Sequence, residues 1–161
     1  MYGKGEHGFD IVDNGSGYTQ SDLMMIAKCL PERERNELYK KKSIGYRGEA
    51  LSSLCKCATV SITTKHASEP SGLKVFFSES GDVKSLEPYE LGSSATGTTI
   101  EVRDVFKNHA KYRYRYCKNI PVASSNALSM MTSFSLILYN TVLNVTNSKT
   151  SPPPAKSITD D

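Results

Sequence analysis

Apolar and polar residues alternate along some stretches of this chain and recur at helical spacing along others. From Thr59 the period is two: "TVSITTK", "GLKVFFS" and "GTTIEVRDVF" alternate or carry β-branched and aromatic residues, which predicts three strands. "SESGD" predicts the turn that follows the second of them. Strands in succession pair antiparallel. Upstream, Phe9 to Val12 reads as a strand end. Thr19 and Asp22 make a capping-box pattern ahead of "LMMIAKCL", a short helix stopped by Pro31. "PERERNELYKKK", Pro31 to Lys42, is nearly all charge and predicts a mobile surface segment. "SIGYRGEALSSLCKCA" then runs into a second helix with Ala50, Leu51, Leu54 and Ala58 on one face. The expected fold class is α+β, an antiparallel-rich sheet with helices on one face.

Beyond the last strand, "YRYRYCKN", Tyr112 to Asn119, reads as a basic and aromatic link. An apolar helix from about Asn126 to Leu138 and a strand from Thr141 to Val145 read as the opening of a second domain. "SPPPAKSITDD" reads as a polar, disordered tail with a stiff proline run. Half a domain cannot bury its faces, so truncation at the C-terminal end is expected.

Composition narrows the function only a little. A chain of 161 residues has room for one domain with a real core. A net charge of +3 and a pI near 8.6 permit nucleic-acid contact without arguing for it. No apolar run approaches the roughly 18 residues of a membrane span, and the N-terminal residues carry no apolar signal-peptide core. "CKC", at Cys55 and Cys57, lacks the two-residue gap of common zinc knuckles, so the thiols read as reduced cysteines of an intracellular protein. "GKGEHG", Gly3 to Gly8, fits a dinucleotide pattern but has no strand before it and no helix after it, and reads as a hairpin turn. No P-loop pattern is present.

Three short stretches remain as candidate chemistry. "DNGSG", Asp13 to Gly17, follows a strand; Asp13 is suited to accept from an exocyclic amine, and Gly15 and Gly17 let a flat ring approach the backbone. An Asx turn explains the same residues with no ligand. "GYRGEAL" places Gly45 and Gly48 around Tyr46 and Arg47 at the mouth of a helix, where free N–H groups and the dipole attract phosphate. Ordinary helix capping explains that as well. "GTTIEV" sends two hydroxyls into a strand, within reach of a water or a ring nitrogen; a β-strand Thr with no ligand is the usual case.

Taken in order, the three stretches resemble the ATP-binding fold shared by DNA gyrase, Hsp90, histidine kinases and MutL, the GHKL or Bergerat-type sandwich. "IGYRGEALSSL" resembles the MutL family's F-G-F-R-G-E-A-L-[AS]-S, and "GTTIEVRDVFKN" its G-T-T-V-x-V-x-D-L-F-x-N. "LSSLC" and "TTKHAS" are most similar to the eukaryotic PMS branch. Hsp90-like chaperones and histidine kinases lack G-x-R-G-E-A-L. The resemblance runs from Tyr2 to about Asn119 and more faintly to Ser148. It implies a partial ATPase-like domain over 1–118, the truncated start of a second, transducer-like α/β domain over 119–148, and a tail over 149–161. It further implies that Asp13 contacts the adenine amino group, that Asn14, Gly15 and Gly17 shape its pocket, and that Thr98 holds adenine through water. Gly45, Tyr46, Arg47, Gly48, Glu49 and Ala50 would wrap the triphosphate.

By the same resemblance the parent is a DNA mismatch repair protein. It binds ATP and magnesium, hydrolyses ATP slowly and closes into a dimer of N-terminal domains. Its partners would be an MLH-type MutL protein, a MutS-type mismatch recogniser and double-stranded DNA, with no membrane, in the nucleus. Lys107, Lys111, Arg113, Arg115 and Lys118 form the expected non-specific DNA-binding stretch.

The sequence departs from the family at three places. The family's opening helix carries E-[NL]-x-x-D-A, whose Glu is the general base and whose Asn holds magnesium; this chain starts after it, so no catalytic or metal-binding residue is expected here. The lid-anchoring T-S-K is replaced by "KCLPERERNELYKKK", and "NHAKYRYRYC" stands in place of N-x-P-[AV]-R-x-K-F. A catalytically dead fragment, or an interaction module of the same family that binds no nucleotide, is the alternative.

Overall fold

A computed structural model describes residues 8–28, 49–90, 96–138 and 141–146. Five antiparallel strands form one sheet: β1 (Gly8–Asp13), β2 (Thr59–Lys65), β3 (Gly72–Phe77), β4 (Val83–Tyr89) and β5 (Gly97–Arg103), in the order β1-β5-β2-β3-β4. Among the described residues three helices accompany it: α1 (Gln20–Leu23), α2 (Glu49–Cys57) and α3 (Ala110–Ser135).

Strand alternation divides the sheet's two faces. Val60, Ile62 and Thr64 of β2, with Val75 and Phe77 of β3, point to one side and are buried. Leu23 and Ala27 from the α1 segment and Cys55 from α2 close over that side to make the core. Leu51, Leu54 and Ala58 join its margin, as the helical spacing predicts, whereas Ala50 is exposed. Burial pushes the Cys55 thiol up to about 11, with the neighbouring Cys57 adding to the rise.

The other face is polar and paired. Glu101 of β5 accepts from Ser61 at 2.8 Å and from Lys74 at 3.0 Å. Arg103 joins Glu101 to Asp10 of β1, and it also donates to the Phe9 carbonyl. Two cations and two carboxylates thus balance across four neighbouring strands. Lys74 and Ser61 are buried, while Asp10, Glu101 and Arg103 stay partly exposed, so their pairs contribute to register more than to net stability.

The expected class holds: a mixed fold with an antiparallel sheet and helices, of which the α1 segment and α2 cover one face. Several local expectations change. β4, "VKSLEPY", escapes the pattern because it is an edge strand with few apolar residues and a Pro, which an edge tolerates. The capping box is present, with the Thr19 hydroxyl accepting from the Asp22 amide and the Asp22 carboxylate accepting from the Thr19 amide. Regular α-helix ends at Leu23, however, and isolated turns carry the chain to Lys28.

The stretch Tyr112–Asn119 is helix and not a link; it is continuous with the helix expected from Asn126. No glycine interrupts 110–135, and the one proline, Pro121, sits inside the helix at the cost of a single backbone bond. Residues 141–146 form no strand. The charged segment Pro31–Lys42 lies outside the described residues.

Candidate nucleotide site

Asp13 is the last residue of β1, and its register partner on β5 is Thr98. The sheet therefore brings together two residues that lie 85 positions apart in the sequence. The Asp13 carboxylate turns back to accept from the Gly15 amide at 2.9 Å through Oδ1. The Asx turn and the ligand-facing carboxylate are thus compatible: the turn fixes one oxygen and orients the other, Oδ2, which accepts no hydrogen bond from the described residues. Asn14 is exposed in the same turn.

Glycine is required where the turn meets the sheet. Gly17 has φ +74°, and a Cβ there would sit 2.1 Å from the Lys65 carbonyl oxygen. Gly97 lies so close to β1 that a Cβ would come within 2.4 Å of the Asp13 carbonyl oxygen. Both contacts are to backbone, which has little freedom to retreat.

Under this turn lies a polar knot. The Tyr18 amide donates to the Thr64 hydroxyl at 3.0 Å, which donates in turn to the Gly97 carbonyl at 3.0 Å and lies 3.1 Å from the Thr98 hydroxyl. Thr64 and Thr98 are both buried. Burial raises the Tyr18 phenol, and the charges of Asp13 and Asp22 raise it further. Thr64 was not singled out in the sequence. Its signal is a hydroxyl at the third inward position of β2, after Val60 and Ile62, where the pattern calls for an apolar side chain.

The remaining expected residues are dispersed. Glu49 and Ala50 begin α2 and are exposed; Gly45, Tyr46, Arg47 and Gly48 lie outside the described residues. Of the basic stretch, Lys107 is engaged within the molecule, donating to Thr59 at 2.8 Å and pairing with Asp104 at 3.9 Å. Arg113 donates to the Val105 carbonyl at 3.0 Å. Lys111, Arg115 and Lys118 are exposed and follow i, i+4, i+7 spacing along α3, so they share one face. Between β5 and α3, Asp104 and Phe106 both take left-handed backbone, at φ 54° and 60°. That turn sets the Phe106 ring 6.0 Å from Tyr112 and 5.7 Å from Tyr116. Among the described residues no group of three His, Cys, Asp or Glu side chains comes together to hold a metal ion. No helix of the described residues is long and apolar enough to cross a membrane.

The fold is that of solved MutL ATPase domains. The Aquifex aeolicus MutL ATPase domain complexed with ADP matches it with a TM-score of 0.57 at 18% identity, over 86% of this chain and 46% of that one. In sequence, the chain is 28% identical over 140 residues to the mismatch repair endonuclease pms1 of Dictyostelium discoideum, covering 85% of this chain and 13% of that protein. It is 38% identical over 108 residues to the DNA mismatch repair protein MutL of Rhodopseudomonas palustris, covering 65% of this chain and 17% of that one. No protein-family model matches. The chain is thus similar to DNA mismatch repair proteins of the MutL and PMS type, and it spans 13% and 17% of the length of these two relatives.

Proposed function

We propose that this chain is part of the ATP-binding, ATP-hydrolysing N-terminal region of a MutL/PMS-type mismatch repair protein, whose nucleotide-driven closure acts on mismatched DNA. The observation that carries the reading is the Asp13–Thr98 pair at the β1–β5 edge, with the carboxylate aimed by the Gly15 amide. In this reading Asp13 accepts from the adenine amino group, Thr98 supports the same edge of the ring, and Asn14, Gly15 and Gly17 shape the turn beside it. Gly45 to Ala50 take the triphosphate, with N–H groups at the start of α2 as donors. Magnesium accompanies the triphosphate by family resemblance only, and no ligand for it is assigned here.

The solved relative's bound ADP supports nucleotide binding; the MLH-type partner, the MutS-type recogniser and the nuclear location belong to the proposal by family resemblance alone. The test is thermal unfolding of the chain with Mg-ATP. A ligand that binds only the folded state at a hundred times its Kd stabilises by about 2.7 kcal/mol, so the midpoint rises with Mg-ATP. An unchanged midpoint at millimolar Mg-ATP would reject the reading in favour of a nucleotide-free module.

Non-specific binding of double-stranded DNA belongs to the same proposal. Lys111, Arg115 and Lys118 form the exposed stripe, while Lys107 and Arg113 already serve intramolecular partners. Three phosphate contacts give a log–log salt slope near −2.7, or about a forty-fold loss of affinity from 50 to 200 mM salt. Replacing all three by Ala is expected to flatten that slope in fluorescence anisotropy titrations. An unaltered slope assigns the binding to other residues.

A further inference from the structure

We propose that Thr64 is a positioning residue that makes Thr98 an acceptor toward the ligand and thereby helps select a purine carrying an amino group over one carrying a carbonyl. The inference rests on the nucleotide reading above and adds to it a residue from β2, a strand that had supplied no candidate side chain.

The argument is a proton count. The Thr64 hydroxyl owns one proton, and three groups surround it: the Tyr18 amide, which only donates, the Gly97 carbonyl, which only accepts, and the Thr98 hydroxyl. Just one placement makes all three contacts hydrogen bonds. Thr64 donates to Gly97, accepts from Tyr18, and accepts from Thr98. The Thr98 proton therefore points into the protein, away from the ligand. Both groups at the ring edge, the Asp13 carboxylate and the Thr98 oxygen, then offer lone pairs alone. An amino group, or a water donating on its behalf, satisfies them; a carbonyl oxygen meets only other acceptors. With Thr64 and Thr98 both buried, no bulk water offers Thr98 another acceptor inside the knot.

Two substitutions test it. Thr64→Val keeps the shape, removes the hydroxyl and frees the Thr98 proton to turn outward. Thr64→Ser keeps the hydroxyl. Dissociation constants for ATP and for ITP, which has a carbonyl in place of the amino group, are measured by calorimetry. Discrimination against ITP is expected to fall about tenfold in Thr64→Val and to stay near the parent value in Thr64→Ser. A merely structural role would lower the ligand-free midpoint and weaken both nucleotides alike, leaving the ratio unchanged, and that result overturns the proposal.

Should Thr64→Val fail to fold, the parent chain still decides. The Thr98 hydroxyl proton is expected to exchange slowly with water by NMR and to lie near Thr64. Exchange as fast as that of an exposed hydroxyl overturns the assignment. If the parent chain binds neither nucleotide, the nucleotide reading itself fails and this inference with it.

Discussion

Replacing Gly17 by Ala is expected to cost about 2–5 kcal/mol of folding stability, the larger of two effects centred on the Asp13 turn. Two penalties add. A left-handed backbone at φ +74° disfavours any Cβ by about 1–2 kcal/mol. The new methyl also lands 2.1 Å from the Lys65 carbonyl oxygen and 3.0 Å from the His66 amide nitrogen, so the turn must pull away from the end of β2, an overpacking cost of about 1–3 kcal/mol. Pulling away also stretches the Tyr18 amide from Thr64. Urea unfolding reads the effect as a lower midpoint at unchanged slope. A loss under about 0.5 kcal/mol would mean that the turn is not held against β2 as described. Gly15 differs: a Cβ there meets the Asp13 carboxyl group, with Oδ1 at 3.0 Å, and so bears on the carboxylate more than on the fold.

Asp13→Asn acts on recognition while sparing the fold. The Asn side-chain oxygen is able to replace Oδ1 and keep the 2.9 Å bond from Gly15. Its amide nitrogen is then forced into the place of Oδ2, so a donor faces the adenine amino group where an acceptor stood. Loss of a charge-assisted hydrogen bond of this kind weakens ATP binding by about 1.5–3 kcal/mol, roughly ten- to more than a hundred-fold. The ligand-free midpoint is expected to stay within about 0.5 kcal/mol of the parent. Equal ATP affinity of the two proteins by calorimetry would remove Asp13 from the site.

What the sequence made legible follows from the range of the interactions involved. β2, β3 and β5 announce themselves because alternation is local: Val60, Ile62 and Thr64 lie two apart and face one core. The Thr19–Asp22 capping box is equally local. β4 stayed hidden because an edge strand buries little, leaving Ser85, Glu87 and Pro88 with no pattern to obey. The run from Tyr112 to Asn119 misled for the opposite reason: alternating Tyr and Arg mimic a strand or link, while nothing in 110–135 except Pro121 opposes a helix.

At the candidate site, the structure brings together Asp13, Gly15, Gly17 and Thr98, which their short motifs had marked as candidates. That Asp13 faces Thr98 is a matter of β1–β5 register, which no local pattern encodes. The Thr64 bridge depends on a second register, that of β2 with β5, and a lone β-strand threonine gives little hint of it.

The pairing of β1 with β5 also has an entropic side. Asp10 and Arg103 are 93 residues apart, whereas Thr64 and Leu73 close the β2–β3 hairpin across nine. Closing the longer loop costs about 2 kcal/mol more in chain entropy. Among the described residues β1 has one neighbouring strand to offset that cost, and Ile11 and Val12 bury little on its behalf. The ion pair from Arg103 to Asp10 and its bond to the Phe9 carbonyl supply part of the difference. The candidate site is therefore divided between the centre of the sheet, where Thr64 and Thr98 are secured by neighbours on both sides, and the strand whose attachment has the longest loop to close.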